Sequence, residues 1–267
     1  MPDRYRALVA LAGGTGLRWG ECVGLQANAV NWGGWDGACK EHKATHCLAC
    51  FDTYEVTVSV VRTAVEVAGT VSMKPFPKSR AGRRVVPVPR FAAELLAAHR
   101  EAFPGGPAGA IFANQSGGPM RRTLFRSRVW RPALVRAGLL GRVTEPRPFK
   151  FRATWADADG VEWSAEFATE REAVAHVVKM HAGGLRFHDL RHSYATWLAD
   201  AGVPVNNLAK IMGHEKPSTT LNLYADHARE AQKRVRRAFA DDLLILISND
   251  GQGNEKRPSN EGRYLGT

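Results

Sequence analysis

Two short segments of the sequence place arginine and histidine side chains at spacings that suit chemistry on a phosphate ester. The segment TGLRWGECVGL puts Arg18 at the expected start of a helix, directly after a glycine turn. Glu21 follows three residues later on the same side of that helix, so its carboxylate can orient the Arg18 guanidinium through a charge-assisted hydrogen bond. The segment FHDLRHSYATWL puts His188 and Arg191 one helical turn apart, which directs both side chains to one location.

A third segment adds a tyrosine. In LAKIMGHEKPSTTLNLYADH, His214 follows a glycine and Tyr224 lies ten residues further along the chain. The residues between them include proline, serine and threonine, which are typical of a helix start with capping hydroxyl groups. The three segments together supply two arginines, two histidines and one tyrosine.

That set is what cleavage of a DNA strand requires when neither a metal ion nor ATP takes part. A nucleophile attacks phosphorus, cations neutralise the non-bridging oxygens as charge builds, and an acid protonates the leaving 5′-oxygen. A tyrosine nucleophile conserves the bond as a phosphotyrosyl ester, so the strand can be rejoined later. Any one of these residues alone is more often an ordinary surface or core residue, so the interpretation depends on their combination.

The composition favours a polyanionic partner. The 267 residues contain 37 lysines and arginines against 26 acidic residues, a formal net charge of +11, and the isoelectric point is about 9.9. Such a surplus favours nucleic acid, although charge alone also fits a solvated basic surface. The sequence has no run of eighteen apolar residues and no signal-peptide pattern. We therefore expect no membrane attachment and a cytoplasmic, nucleoid-associated protein.

The pattern of apolar and turn residues predicts an α+β fold that is mostly helical. Helices are expected over 4–27 (two, joined by a glycine turn), 90–102, 121–137, 185–200, 203–213 and 226–239. The β-branched run at 54–65, a short strand near Val71 and the run at 83–89 are expected to form one small antiparallel sheet. We expect one catalytic domain over 1–249 and a disordered tail over 250–267.

The three segments, in this order, resemble the conserved boxes of the tyrosine recombinase (phage integrase) family, which are R-x-x-E, then H-x-x-R, then G-H followed by a tyrosine. The family also has a lysine on a β-hairpin, in a segment similar to PKSRAGRRVVPVP at 77–89, where Lys78 is the counterpart. The resemblance covers most of 4–240. It implies the catalytic-domain fold of that family, double-stranded DNA as the partner and no cofactor for catalysis.

The resemblance also implies roles for the cationic residues. Arg18 and Arg191 would clamp the scissile phosphate, because a planar guanidinium suits two phosphate oxygens better than an ammonium group does. His188 would hydrogen-bond the phosphate or act as the general base toward the tyrosine. His214 would be a second phosphate ligand, and Glu21 would support Arg18.

The remaining two roles each have a rival residue. Lys78 would protonate the leaving 5′-hydroxyl, with Lys74 as the alternative four residues earlier. Tyr224 would form the 3′-phosphotyrosine, and its ordinary pKa of about 10 means that its neighbours must activate it. Tyr194 is the rival nucleophile, but its position in the middle of a helix beside Trp197 favours a core role for both.

A first insertion, over 33–52, interrupts the family pattern and is rich in cysteine and histidine. Its spacing C-x2-H followed by C-x2-C suits tetrahedral zinc, and the four predicted ligands are Cys39, His42, Cys47 and Cys50. His46 could replace His42. A full shell of four protein ligands would make the zinc structural, and the alternative is a surface loop with free thiols.

A second insertion, over 149–184, has the pattern of a strand, an Asp-Gly turn, a strand and a helix. It resembles the small arm-type DNA-binding modules found at the N-termini of many integrases, which implies that its sheet could lie in a DNA groove. The alternative is a hairpin-and-helix decoration, because the predicted helix carries Glu170 and Glu172 and little positive charge.

Two further expectations follow from the family resemblance. Full-length members usually carry a helical core-binding domain before the first arginine box, and Arg18 lies so near the start that we expect this domain to be missing from the chain. The apolar segment FADDLLILI at 239–247 could dock onto a neighbouring protomer, which implies a homotetramer on DNA with exchange of C-terminal segments, or could fold back onto its own core.

Two other functions remain compatible with the sequence. A type IB topoisomerase uses the same arginine, lysine, histidine and tyrosine logic, although the short chain and the G-H box favour a recombinase. A DNA-binding remnant without catalysis is the other alternative, and the intact residue set argues against it.

Overall fold

A computed structural model of the chain describes residues 1–33, 55–75 and 80–215. The described helices are α1 (Arg6–Thr15), α2 (Trp19–Val23), α3 (Arg90–Ala102), α4 (Arg122–Phe125), α5 (Arg131–Arg136), α6 (Glu170–Met180), α7 (Asp189–Asp200) and α8 (Val205–Met212). The described strands are β1 (Val30–Asn31), β2 (Thr57–Val60), β3 (Thr63–Val67), β4 (Thr70–Lys74), β5 (Arg84–Pro87), β6 (Arg142–Arg147), β7 (Lys150–Ala156) and β8 (Glu162–Phe167). All of them belong to one compact unit, Met1–Leu221.

Helix α1 lies at the centre of the fold and packs against both α3 and α7. Leu8 and Leu11 on α1 and Leu96 on α3 are fully buried, and each contributes about 2 kcal/mol through removal of apolar surface from water. The helices predicted over 4–27, 90–102, 185–200 and 203–213 are present within a few residues of the expected bounds. Of the helices in the described part of the chain, none is both long enough and apolar enough to cross a bilayer.

The strands between 57 and 87 form two sheets, so the prediction of a single small sheet is wrong. Strands β1, β2 and β5 make one antiparallel sheet, whereas β3 and β4 make a separate hairpin. The run expected as one strand over 54–65 breaks after Val60, because the side chain of Arg62 turns back and its Nε donates a hydrogen bond of 2.7 Å to the Gly24 carbonyl. The hairpin therefore leaves the first sheet and packs on α2.

Strand β5 carries an arginine on its inward face. Side chains alternate across a strand, and Val86 and the following Val88 are buried while Val85 is 61% exposed. Arg84 has the same parity as Val86 and Val88, so its guanidinium enters the interior, where its side chain is only 6% exposed. A buried arginine in this position needs a partner of opposite charge.

The helix predicted over 121–137 is continuous but contains one wide turn. Between α4 and α5, the segment Arg126–Trp130 has π-helical hydrogen bonding. Pro132 follows near the start of α5, and a proline cannot donate a backbone hydrogen bond, so a wider turn accommodates the lost bond. The basic character expected for this helix is present, but one of its arginines, Arg131, is buried.

The second insertion folds as expected, with one additional strand. Strands β7 and β8 and helix α6 correspond to the predicted strand, turn, strand and helix, and Ala153 of β7 and Val177 of α6 are fully buried. Strand β6 pairs with β7 as an edge strand, so the module begins at Arg142 rather than at 149. The sequence RVTEPR hides this strand, because only Val143 is apolar and half-buried, and Pro146 is tolerated at an edge.

Arg131 joins this module to the rest of the fold. Its guanidinium donates hydrogen bonds to the carbonyls of Val178 at 3.0 Å, His181 at 2.6 Å and Gly183 at 2.7 Å. The neighbouring Trp130 donates from Nε1 to the Leu185 carbonyl at 2.8 Å. The chain that leaves α6 is therefore held along its length until it reaches α7.

We expect Arg131→Met to destabilise the protein by about 3 kcal/mol, because it removes a buried guanidinium and leaves three carbonyl oxygens without their donor. Urea unfolding would measure this. Arg136→Met is the matched control on the same helix, since Arg136 makes only an exposed ion pair of 3.5 Å with Glu170, worth less than about 1 kcal/mol. Equal losses for the two variants would contradict the anchoring role of Arg131.

Candidate active site

Arg18 begins helix α2, as its spacing from the glycine turn predicts. It is the N-cap residue, and its backbone N–H donates to Glu21 Oε2 at 2.9 Å while its Nη1 donates to Glu21 Oε1 at 3.0 Å. The Glu21 carboxylate therefore satisfies the helix start and orients the guanidinium together. The Arg18 side chain remains 40% exposed, so it can still reach a ligand from solvent.

The same carboxylate binds a second arginine that sequence reasoning missed. Arg84 donates from Nη1 to Glu21 Oε1 at 3.1 Å and from Nη2 to Glu21 Oε2 at 2.9 Å. Burial alone would raise the pKa of Glu21, but the hydrogen bonds and charge of Arg84, together with Arg18, hold that pKa below its ordinary value. The signal in the sequence was an arginine in register with inward-facing valines.

Arg191 links two distant segments of the chain. It is 3% exposed, and its guanidinium donates to the Gly16 carbonyl at 2.6 Å and to the Met212 carbonyl. Gly16 ends α1 in a left-handed conformation, with φ of 63°, and any side chain there would overlap the ring of Tyr194. A glycine is therefore required at position 16, where the backbone carbonyl accepts a hydrogen bond from Arg191.

The cations in this site oppose one another. Burial, followed by the charge of Arg18, lowers the pKa of Arg191 to about 9. Glu21 acts in the other direction but does not offset these effects. An anion placed between the arginines would relieve this repulsion.

His214 lies against Arg191 and is neutral. The Arg191 Nη2 and His214 Nε2 atoms are 3.0 Å apart, and because arginine can only donate, Nε2 must accept. Burial and the charges of Arg191 and Arg18 lower the pKa of His214 to about 4. The contact with Arg191 and the lowered pKa both indicate that His214 is neutral, with its proton on Nδ1.

His188 immediately precedes α7, one turn before Arg191, and is exposed. Its ring meets that of His192 edge-on, with 5.1 Å between centroids. Burial lowers the pKa of His188, and the charges of His192, Arg191 and Arg18 lower it further. Arg18 is thus close enough to act on His188, as expected if the first two segments meet at one location.

An aromatic cluster fixes the segments that carry Arg18 and His188. Trp19, which follows Arg18, and Phe187, which precedes His188, have ring centroids 5.1 Å apart. Both rings also pack on Phe125, at 4.8 Å and 5.7 Å. Residues adjacent in sequence to the proposed phosphate ligands therefore supply the packing that holds these segments together.

Several predicted site residues lie outside the described residues. These are Lys78, Tyr224 and the predicted zinc ligands Cys39, His42, Cys47 and Cys50, with the alternative ligand His46. Over the three described ranges, no group of three or more histidine, cysteine, aspartate or glutamate side chains is suited to holding a metal ion. The alternative lysine, Lys74, is exposed at the end of β4.

The two core residues expected on α7 differ in outcome. Tyr194 is buried, as predicted. Trp197 is 59% exposed, so its assignment to the core is wrong. The buried stripe of α7 passes through Arg191, Tyr194 and Ala195, and Trp197 lies off that stripe by part of a turn.

Comparison with known proteins finds a matching family model and several similar proteins. Residues 168–231, which include the H-x-x-R and G-H segments and Tyr224, match the model of the phage integrase family. This segment of the chain is therefore similar to the phage integrase family. Over 257 residues it is 25% identical to a tyrosine recombinase XerC-like protein of Caldanaerobacter subterraneus subsp. tengcongensis, a match that covers 91% of this chain and 50% of that protein.

A second match is shorter but has a higher sequence identity. Over 45 residues the chain is 47% identical to a probable integrase/recombinase of Aquifex aeolicus, covering 17% of this chain and 14% of that protein. The chain therefore spans at most about half the length of the curated relatives described here.

Solved structures share the fold. The Tn1549 transposon integrase in complex with transposon right end DNA matches with a TM-score of 0.52 at 20% identity, covering 88% of this chain and 59% of that one. The same integrase with circular intermediate DNA matches with a TM-score of 0.53 at 19% identity, covering 87% and 60%. The mixed fold of helices and small antiparallel sheets is thus that of a phage integrase catalytic domain.

The lowered pKa of His214 predicts a pH dependence of stability. Between its ordinary value of 6.5 and the folded value of about 4, the unfolded chain binds a proton at this residue and the folded chain does not, so acidification through this range favours unfolding. We expect His214→Gln to lose less stability than the wild type over this range, measured by urea unfolding at a series of pH values. Parallel losses in the two proteins would contradict this.

Proposed function

We propose that this chain is the catalytic part of a site-specific DNA recombinase or integrase, which cleaves and rejoins strands through a 3′-phosphotyrosyl intermediate at Tyr224. The observation that carries the proposal is that Arg18, Arg191 and His214 lie close together although they come from distant segments. Arg18 is held by the buried Glu21 carboxylate, Arg191 contacts His214, and the charge of Arg18 acts on both of them. An arrangement of this kind, with one guanidinium still open to solvent, suits a phosphate ligand.

The charges support a phosphate rather than a neutral substrate. Three arginines (Arg18, Arg84 and Arg191) act on a single carboxylate, and burial together with the neighbouring positive charges lowers the pKa of Arg191 and of His214. A phosphodiester brings negative charge that increases in the transition state, so the repulsion falls as the reaction proceeds. Arg18 and Arg191 would bind the non-bridging oxygens, with His214 as a further ligand.

The proposed reaction has two bond changes in each direction. The Tyr224 oxygen attacks phosphorus and loses its proton to His188 as the proposed general base, while the bond from phosphorus to the 5′-oxygen breaks. Lys78 donates a proton to that leaving oxygen. Rejoining reverses both transfers, when a 5′-hydroxyl attacks the phosphotyrosine and Tyr224 is released.

Double-stranded DNA is the proposed partner. The Tn1549 integrase, whose fold this chain shares, is seen in complex with transposon DNA, and the surplus of basic residues in this chain fits the same kind of ligand. We infer that recombination takes place in a homotetramer with exchange of C-terminal segments.

Covalent capture tests the nucleophile. The protein is incubated with a pool of nicked duplexes of random sequence, together with the DNA that flanks its gene, and adducts are resolved on denaturing gels. Tyr224→Phe should abolish the adduct and leave DNA binding nearly unchanged, because only the attacking oxygen is lost. Tyr194→Phe is the matched control and should retain the adduct, since Tyr194 is a core residue.

Two outcomes of that experiment would contradict the proposal. An adduct formed by Tyr224→Phe would show that another residue is the nucleophile, and the absence of any adduct with the wild type would favour a DNA-binding protein without catalysis. Efficient relaxation of supercoiled plasmid that lacks recombination sites would instead favour a type IB topoisomerase.

We further propose a structural zinc ion held by Cys39, His42, Cys47 and Cys50, from the spacing of these residues alone. Metal analysis of purified protein should find about one zinc per chain, and Cys47→Ser should lower that content, whereas Cys22→Ser should not, because Cys22 is buried beside Glu21. A folded protein free of zinc would contradict this proposal.

A further inference from the structure

We propose that Arg84 is a positioning residue for strand cleavage, because it holds the Glu21 carboxylate and the end of α8 together and so fixes Arg18 and His214 relative to each other. The inference rests on the proposed function. Arg84 is distinct from the six residues to which the family resemblance gives catalytic roles, and it does not reach the DNA itself, since its side chain is 6% exposed.

The first half of the connection runs from β5 to α2. Two parallel hydrogen bonds of 3.1 Å and 2.9 Å join Arg84 to both oxygens of Glu21, and the same carboxylate orients Arg18. This bidentate geometry requires the planar fork of an arginine, which a lysine cannot reproduce. The position of Arg18 therefore depends on an arginine of strand β5 that lies 63 residues after Glu21 in the sequence.

The second half runs from β5 to the turn before His214. Arg84 Nε donates to the Ile211 carbonyl at 2.7 Å, at the end of α8. The next turn passes through Gly213 in a left-handed conformation with φ of 65°, and a Cβ there would lie 2.9 Å from Arg84 Nη1. The Arg84 guanidinium thus packs against the turn that places His214 beside Arg191.

Sharing of the carboxylate also keeps Arg18 available. A buried carboxylate requires compensation, and the charged groups that act on Glu21 are Arg18 on its own helix, Arg84 from β5 and Arg191 from α7, with the Cys22 thiol beside it. Without Arg84, both oxygens of Glu21 would turn to the remaining nearby donor, Arg18, and draw its exposed guanidinium inward. Arg84 therefore leaves Arg18 partly free for the phosphate.

The test compares Arg84→Met and Arg84→Lys with the wild type in single-turnover adduct formation on a nicked duplex. We expect Arg84→Met to lower the rate about 100-fold, the scale typical of misplaced catalytic groups, and Arg84→Lys to recover only part of it. The acidic limb of the pH profile should also move to higher pH in Arg84→Met, because Arg84 lowers the pKa of Glu21. In the double variant Glu21→Gln/Arg84→Met, the contribution of Glu21 to this limb should be lost, and that of His188 should remain.

Arg62→Met is the matched control. Arg62 also holds the end of α2, through the Gly24 carbonyl at 2.7 Å, but it does not reach Glu21. It should lower stability without moving the acidic limb. An unchanged rate and profile in Arg84→Met, or a lower rate with the acidic limb unmoved as in Arg62→Met, would overturn the proposal.

A second measurement decides the proposal independently of cleavage. The Glu21 carboxyl signal, assigned by its loss in Glu21→Gln, is followed by ¹³C NMR as pH is lowered, with the His214 ring signals recorded in parallel. In Arg84→Met, Glu21 should titrate at higher pH than in the wild type and the His214 signals should shift. If the wild type forms no adduct but these changes occur, the proposed function fails and the positioning role stands; if they do not occur, the positioning role fails.

Discussion

The site depends on one buried carboxylate that two arginines share. Glu21 is nearly inaccessible to solvent, so its negative charge must be compensated by neighbouring positive charge. Arg18 from its own helix and Arg84 from strand β5 provide that compensation. Removal of either partner would leave a carboxylate in the interior without enough donors. The position of helix α2 against the β1-β2-β5 sheet, and hence of the exposed Arg18, follows from this requirement.

The rest of the site holds positively charged side chains close together although they repel one another. Arg191 is fixed by two backbone carbonyls from opposite ends of the chain, Gly16 and Met212, and these neutral acceptors orient the guanidinium without cancelling its charge. His214 remains neutral beside it. The folded protein therefore carries the electrostatic cost of assembling the cations before any ligand binds, which is the condition that preorganised stabilisation of a negatively charged ligand requires.

Local relations in this fold could be predicted from sequence, and long-range ones could not. The pairing of Arg18 with Glu21 follows from helical spacing, and the burial of Tyr194 follows from its place in a helix. Arg84 was missed because its partner lies 63 residues away. The break between β2 and β3 was missed for the same reason, since the contact at this break joins Arg62 to the Gly24 carbonyl, 38 residues away in the sequence. The prediction that Trp197 is buried was wrong because a large apolar residue can also lie at the surface.

The anchoring of Arg131 has a consequence for how this variant of the fold can change over generations. Its guanidinium takes all of its acceptors from the end of the 142–180 module and the segment that follows it, so the host domain now uses the insertion to satisfy one of its own buried charges. Deletion of the module would leave that charge without acceptors. Removal of the module would therefore be tolerated more easily if Arg131 were replaced at the same time.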